Sequence, residues 1–468
     1  MKKDKQPLHM TPEEFRENGH ALIDWIVDYM EHVGEYPVLP EVAPGETASK
    51  MPDHAPETRE PFTSMLSDLD DVVMPGLTHW QSPNWFAYFP ANVSGPSILA
   101  ELASAALGQQ GMLWSTSPAT TEIESKVLDW LVDLMDLPQG WKNQGPGGGV
   151  IQMSASDATH AALVVARHQR RDQASAENMV VYVSNQAHSS IEKGCTVAGI
   201  GLCRKIGVDE AFALDPAALK SAISADKAAG LLPIAVVSAI GTTATTAVDP
   251  IEAIVDIARE YGLWHHVDAA YAGTAMLCDE FRMHQPGLDR VDSYTFNPHK
   301  WMMVNFDCNV LWVADREALI DTMSILPPYL RNTASDSGEV VDYRDWHVPL
   351  GRRFRALKLW WVIRYYGAEG LRAMVREHVA LANDLADWLD QDARFELFAP
   401  HPFGLVCFTH VDGNKATKKL ADDLNATGKV AVTPSQIDDC WFIRISIGQT
   451  HTDKRHVEAL RELIDSLS

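Results

Sequence analysis

The sequence predicts an α/β fold, with a mostly parallel, buried sheet in the middle of the chain and a smaller α+β domain at its C-terminal end. Short runs rich in β-branched residues recur at 179–183, 234–240, 263–267 and 309–313, separated by helical stretches such as 250–261. Continuous apolar runs of this length mark strands buried on both faces, and helices between them make the connections parallel. Beyond residue 351 the order changes. Helices around 352–366 and 378–389 precede strands at 404–409 and 441–446, and a last helix has Val457, Leu460, Leu463, Ile464 and Leu467 on one face. Helices packed on a small, largely antiparallel sheet suit that pattern. The expected division is an N-terminal helical arm and linker (1–85), a large domain (86–375) and a small one (376–468).

The arm opens with Thr11-Pro12-Glu13-Glu14. Thr is a good N-cap, Pro suits the first helical position, and Glu14 stands where a capping box needs it. Phe15, Leu22, Ile23, Ile26, Val27 and Met30 follow at helical spacing, which makes one apolar stripe. Prolines 37, 40, 44, 52, 56 and 61 then turn the chain into an extended connector. A helix carried on such a connector packs on another subunit or caps its own domain, and both readings stand. Residues 326–338, with Pro327, Pro328, Asn332, Ser335 and Asp336, read as a polar loop of the kind that closes over a site.

Composition narrows the function. Acidic residues outnumber basic ones 63 to 39, a formal charge of −24. Such a surface repels nucleic-acid phosphates and anionic lipid, so neither is expected as a partner. No apolar run reaches the roughly 18–20 residues of a membrane span, and the N-terminus shows no signal core. The six cysteines (195, 203, 278, 308, 407 and 440) form no CxxC pair. They read as reduced thiols of a cytoplasmic protein.

Four stretches carry chemistry, each just after a predicted strand, where parallel sheets place ligands. In Asn297-Pro298-His299-Lys300-Trp301, Lys300 leads into an apolar stretch. An apolar setting lowers an amine's pKa and makes it a nucleophile toward carbonyls. In His265-His266-Val267-Asp268, the carboxylate ends an apolar strand and needs donors or a cation. Alone it reads as the N-cap of the next segment. The two histidines point to opposite strand faces, which argues against a shared metal. The run Gly147-Gly148-Gly149 leads through Ser154, Ala155 and Ser156 into an Ala-rich helix. This reads equally as a plain Ser N-cap and as a phosphate cradle at a helix N-terminus. His188, in Gln186-Ala187-His188-Ser189, can stack on a flat ligand or donate a proton, while alone it reads as a satisfied polar residue. Together an amine, a carboxylate, an anion cradle and a stacking ring are the set that pyridoxal 5′-phosphate requires.

At these motifs, and at Ser82-Pro83-Asn84-Trp85-Phe86-Ala87-Tyr88-Phe89-Pro90 and Gly351-Arg352-Arg353-Phe354-Arg355, the chain resembles the group II pyridoxal-phosphate decarboxylases, specifically the aromatic L-amino acid decarboxylases. The resemblance runs from about Thr11 to the last helix. It implies the fold type I (aspartate aminotransferase-like) architecture and a homodimer with active sites at the interface. It implies that Lys300 is the Schiff-base lysine, Asp268 the partner of the pyridine nitrogen and His188 the stacked ring. Ala155, Ser156, Asn297 and His299 would surround the phosphate, with Thr243 and Ala270 lining the cofactor. Tyr329 matches a loop tyrosine that protonates the substrate carbon. Trp80, Tyr88, Phe89 and Pro90 match a substrate wall, and Gln110, Met112 and Gly351 match positions reaching in from the neighbouring subunit. The implied reaction is decarboxylation of an aromatic amino acid to its amine, and Gly351 inclines the choice toward tryptophan. An aldehyde synthase or a histidine decarboxylase on the same scaffold is the alternative.

Overall fold

Thr11 caps the first helix, Pro12–His32, through a full capping box: the Glu14 N–H donates to Thr11 Oγ1 (3.2 Å) and the Thr11 N–H to Glu14 Oε2 (2.8 Å). The computed structural model describes residues 8–325 and 340–468. Within the proline-rich connector a single turn forms at Glu46–Ser49, entered through Gly45 at φ 89°.

The main sheet has seven strands: β1 (Gly148–Gln152), β2 (Met179–Ser184), β3 (Leu202–Ile206), β4 (Leu232–Ala239), β5 (Trp264–Asp268), β6 (Ser293–Phe296) and β7 (Asn309–Val313). Their order is β1-β7-β6-β5-β4-β2-β3. From β6 through β3 every pairing is parallel, while β7 runs antiparallel to both β6 and β1. The crossover helices Ser190–Val197, Pro216–Ala228 and Ile251–Tyr261 supply the connections that parallel neighbours need. Ile251–Tyr261 buries Ile251, Ile254, Val255, Ile257 and Ala258 and stops at Gly262, whose φ of 67° is the left-handed conformation glycine accepts. The fully buried valines of β2 and β4 explain the continuous apolar runs.

A second sheet holds β8 (Phe395–Leu397), β9 (Leu405–His410), β10 (Thr433–Ile437) and β11 (Cys440–Ser446), all antiparallel, in the order β10-β11-β9-β8. The chain at 85–86 lies along its edge, the Phe86 N–H donating to Ala431 O and Phe86 O accepting from Ser446 N–H.

Two local expectations are corrected. The glycine run is not the loop of a cradle: Gly148 and Gly149 lie inside β1. A β-carbon there would sit 2.6 Å from the Trp346 ring and 2.7 Å from Trp312 Nε1, so these glycines make room for indoles. The helix expected from 352 begins at Ala356 and continues to Gln391, absorbing the next expected helix with a break at Gly367. Arg352 is kept out because its N–H donates to Gln110 Oε1 (2.7 Å) and its carbonyl accepts from the Gly111 N–H (2.9 Å).

Candidate active site

The sheet order puts the carboxyl ends of β1, β6, β5, β4 and β2 on one edge, with only β7 reversed among them. Groups following all five strands surround a cavity of about 180 Å³. Asp268 ends β5, Lys300 and Asn297 follow β6, Thr242 and Thr243 follow β4, His188 follows β2, and Ser154 to Ser156 follow β1.

Lys300 makes no ion pair among the described residues. Its Nζ lies 5.2 Å from the centroid of the Phe89 ring. Burial holds its pKa below the ordinary lysine range; the Asp268 carboxylate opposes this, and the Arg444 guanidinium adds to it. Asp268 Oδ1 accepts from the Ala270 N–H at 2.9 Å, which fixes the carboxylate at the strand end. His188 stands at the cavity mouth. Its Nδ1 accepts from the Ser190 N–H (3.1 Å) and lies 2.7 Å from Ser190 Oγ, so in the neutral ring the hydrogen sits on Nε2. Partial shielding from water holds the His188 pKa below its ordinary value, with Asp268 opposing and Lys300 reinforcing.

Helix Ala155–Gln169 starts at the cavity. Its N-cap, Ser154, accepts from the Asp157 N–H, and Ala155 and Ser156 form the cavity wall. The N-terminus of a 15-residue helix presents free N–H groups and positive dipole charge to an anion. Asn297 Oδ1 accepts from Asn309 Nδ2 at 2.7 Å, so its own amide N–H2 is left to donate.

The remaining sequence-derived candidates separate into groups. Thr243, Ala270 and Phe89 line the cavity. His299 does not. Its ring is buried against Phe306 and its Nδ1 accepts from the Cys308 N–H, which makes it a brace beneath the loop. Trp80 and Tyr88 form an aromatic cluster with Trp85, and Tyr88 borders an adjoining cleft that shares His188 and Thr243 with the cavity. Pro90 is buried beside Gly448. Gln110 and Gly351 contact each other, and Met112 O accepts from the Arg344 N–H. None of these three lines the cavity of its own chain. Tyr329 lies outside the described residues.

Two residues without a role in the sequence reading complete the site. Tyr271 is stacked between Phe89 (4.1 Å) and Trp301 (4.7 Å), forming an aromatic wall. Arg444 reaches in from β11, and its guanidinium lies 5.2 Å from the Phe89 ring. An arginine between Ile443 and Ile445 was the available signal, but strand alternation assigns it to solvent.

The sequence matches the family model for the pyridoxal-dependent decarboxylase conserved domain over residues 44–411. The chain belongs to the pyridoxal-dependent decarboxylase family. Among its relatives, phenylacetaldehyde synthase of Arabidopsis thaliana is 42% identical, covering 97% of this chain and 96% of the relative. Tryptophan decarboxylase 2 of Oryza sativa subsp. japonica is 40% identical, covering 97% and 94%. The solved structure of Oryza sativa TDC with PLP and tryptamine superposes with a TM-score of 0.96 at 39% identity, covering 99% of each chain. Within the family the protein therefore falls among the aromatic amino acid decarboxylases and aldehyde synthases, and its cofactor is pyridoxal phosphate. The site fits that cofactor: one cavity offers a buried amine with no ion pair among the described residues, a fixed carboxylate, and a helix N-terminus for the phosphate. Among the described residues no helix is long and apolar enough to cross a membrane, and the six cysteines form no disulfide.

Proposed function

We propose that the protein decarboxylates an aromatic L-amino acid, with tryptophan favoured, to the arylalkylamine and CO2, and that it works as a homodimer. The observation that carries this reading is the placement of Lys300, Asp268, His188 and the N-terminus of helix Ala155–Gln169 around one cavity. Lys300 would hold the cofactor through Nζ, and the lowering of its pKa by burial and by Arg444 favours the neutral, nucleophilic amine. Asp268 would hold a proton on the ring nitrogen. Bound there, pyridoxal phosphate would supply a protonated conjugated ring able to accept the electron pair of the Cα–carboxylate bond. His188, oriented by Ser190, would stack on the ring face. The helix N–H groups, Ser156 and the Asn297 amide bind the phosphate. Phe89 and Tyr271 exclude water from one side, which strengthens the electrostatic contacts within. Tyr329 delivers the proton to Cα.

The dimer is supported by two features. Gln110, Met112 and Gly351 are clustered away from their own chain's cavity, as residues serving a neighbour's site would be. Helix Pro12–His32 buries none of its residues fully and leaves Phe15 61% exposed, an apolar face that a second subunit would cover.

Tryptophan is favoured by the glycine at 351 and by the 40% identity to tryptophan decarboxylase 2. Oxidative conversion to the aldehyde, ammonia and hydrogen peroxide is the second reading, favoured by the 42% identity to phenylacetaldehyde synthase. Retention of Tyr329 and His188 favours the amine. Incubation with aromatic amino acids and histidine, with CO2, amine, aldehyde and peroxide all quantified, separates the two. Equimolar CO2 and amine with little peroxide is expected, most rapidly from tryptophan. Stoichiometric peroxide and aldehyde would establish the second reading, and absence of product from every aromatic acid would overturn both.

A further inference from the structure

A second, much smaller cavity of about 20 Å³ lies between the end of β1 and residues 347–355. It has room for one water molecule or one monatomic ion. Its polar wall is made by Gln152, His347, Arg352 and Arg355, all more than nine-tenths buried. Gln152 Nε2, both ring nitrogens of His347 and Arg352 Nε have no hydrogen-bond partner among the described residues. Among the described residues no acidic side chain lines the space. The carboxylates that balance the two arginines stand outside it, Glu124 bonding Arg352 at 2.5 Å and Asp307 bonding Arg355 at 3.0 Å.

The unpartnered side-chain atoms of this wall are mainly donors: an amide N–H2, a guanidinium N–H and the imidazole. Burial, reinforced by the Arg352 and Arg355 charges, pulls the His347 ring down to about 3, so it is neutral and offers one N–H and one acceptor nitrogen. Each buried donor left unmet costs about 1–3 kcal/mol. A water molecule must donate as well as accept, and the only side-chain acceptors it finds among the described lining residues are one His347 nitrogen and Gln152 Oε1, whereas a spherical anion accepts from every donor. We propose that this cavity binds one halide ion, chloride under ordinary conditions. The ion ties the end of β1, which runs directly into the Ser154–Ser156 turn, to the segment that carries Gly351.

The test uses the cofactor-loaded enzyme, so that the phosphate cradle is filled. Its unfolding midpoint is measured in sodium chloride, bromide and gluconate at constant ionic strength, and crystals grown in bromide are examined at the bromine absorption edge. The expected results are a saturable rise of about 2 °C with either halide and an anomalous peak within hydrogen-bond reach of Gln152 Nε2 and His347. Gln152→Glu would place a carboxylate among the same donors. That variant should unfold in gluconate no lower than the wild type does in chloride, and should have lost its halide response. A bromide-grown crystal with no peak in the cavity overturns the proposal. So does a Gln152→Glu protein that is destabilised in gluconate yet still responds to halide.

Discussion

Replacing Arg444 by methionine tests how the small sheet grips the cofactor cavity. The side chain is 4% exposed and has no carboxylate partner among the described residues. Its Nε donates to Ala244 O at 2.9 Å and a terminal nitrogen donates to Thr243 O at 2.8 Å, with a longer contact to Tyr88 O at 3.4 Å. Hydrogen bonds from a charged donor contribute about 1.5–3 kcal/mol each, so the two short ones amount to roughly 3–6 kcal/mol. Burying a cation without a counter-ion costs several kcal/mol, which methionine avoids. The difference leaves Arg444→Met less stable by about 1–3 kcal/mol. Function should suffer more than stability, because the Thr243 carbonyl belongs to the loop that lines the cavity. Removing the guanidinium also takes away one of the two influences holding the Lys300 amine below its ordinary pKa. The neutral amine then becomes available only at higher pH, and the pH profile for reattachment of cofactor to the apoenzyme shifts upward. Urea unfolding gives the stability change, and visible absorbance during reconstitution gives the profile. A variant with wild-type stability, undiminished cofactor retention and an unmoved profile would refute the role assigned to Arg444.

Burial pushes the Asp249 carboxyl up to about 7 despite N–H donation from Leu214 and Ala239 at 2.7 Å each. The folded protein keeps a proton that the unfolded chain releases near pH 4, so this group's stabilising contribution is complete below pH ~4 and is lost as pH rises to ~7. Asp249→Asn should flatten that slope in unfolding free energy, and an unaltered slope would assign it to other groups. The Tyr294 hydroxyl is fully buried without a partner among the described residues. Tyr294→Phe should be at least as stable as the wild type, by up to about 1 kcal/mol; a calorimetric loss of that size would show that the hydroxyl is bonded. Tyr329→Phe should lower amine formation by about 10²–10⁴-fold, the usual worth of a general acid, and raise aldehyde and peroxide. Unchanged product ratios would remove Tyr329 from that role.

The positions of the reactive groups were legible because each follows an apolar run directly: His188 after β2, Asp268 at the end of β5, Asn297 and Lys300 after β6. A run of buried strand residues ending in a polar side chain is a local signal, and parallel topology gives those ends a common edge. What could not be read locally was set by distant chain. Gly148 and Gly149 looked like backbone bared for a ligand, yet they are small because Trp346 and Trp312 press on them, and a glycine run does not say what approaches it. Arg352 looked helical until the 110–111 segment took its N–H and carbonyl. Arg444 sits on a strand whose alternation points it away from the core beneath the small sheet. That side is solvent only if no other part of the chain covers it, and here the Thr243–Ala244 loop does.

One spacing in the site calls for more than strand order. Neighbouring strands lie about 4.8 Å apart, so the ends of β1 and β2, five positions apart in the sheet, are separated by roughly 24 Å along the edge. That exceeds the length of a single pyridine ring with its phosphate, yet groups following both strands line one cavity. Helix Ala155–Gln169 closes the gap by lying across β4 through β7, which brings its N-terminus over the middle of the sheet. It is held there by the Thr159 hydroxyl, 3.2 Å from His266 Nε2, while His266 Nδ1 lies 2.8 Å from Ser293 Oγ. Thr159 stands about one helical turn after Ala155, and His266 stands two residues before Asp268 on the same strand face. The distance between anion cradle and carboxylate is thereby set by one short chain of contacts, Ala155 to Thr159 to His266 to Asp268. Burial holds His266 down to about 4, so this link stays uncharged and bears only on position. The buried histidines of β5 thus have a use that requires no metal: His266 spaces the two ends of the cofactor site, and His265, bonded to Ser238 at 2.6 Å, ties β5 to β4 on the opposite face.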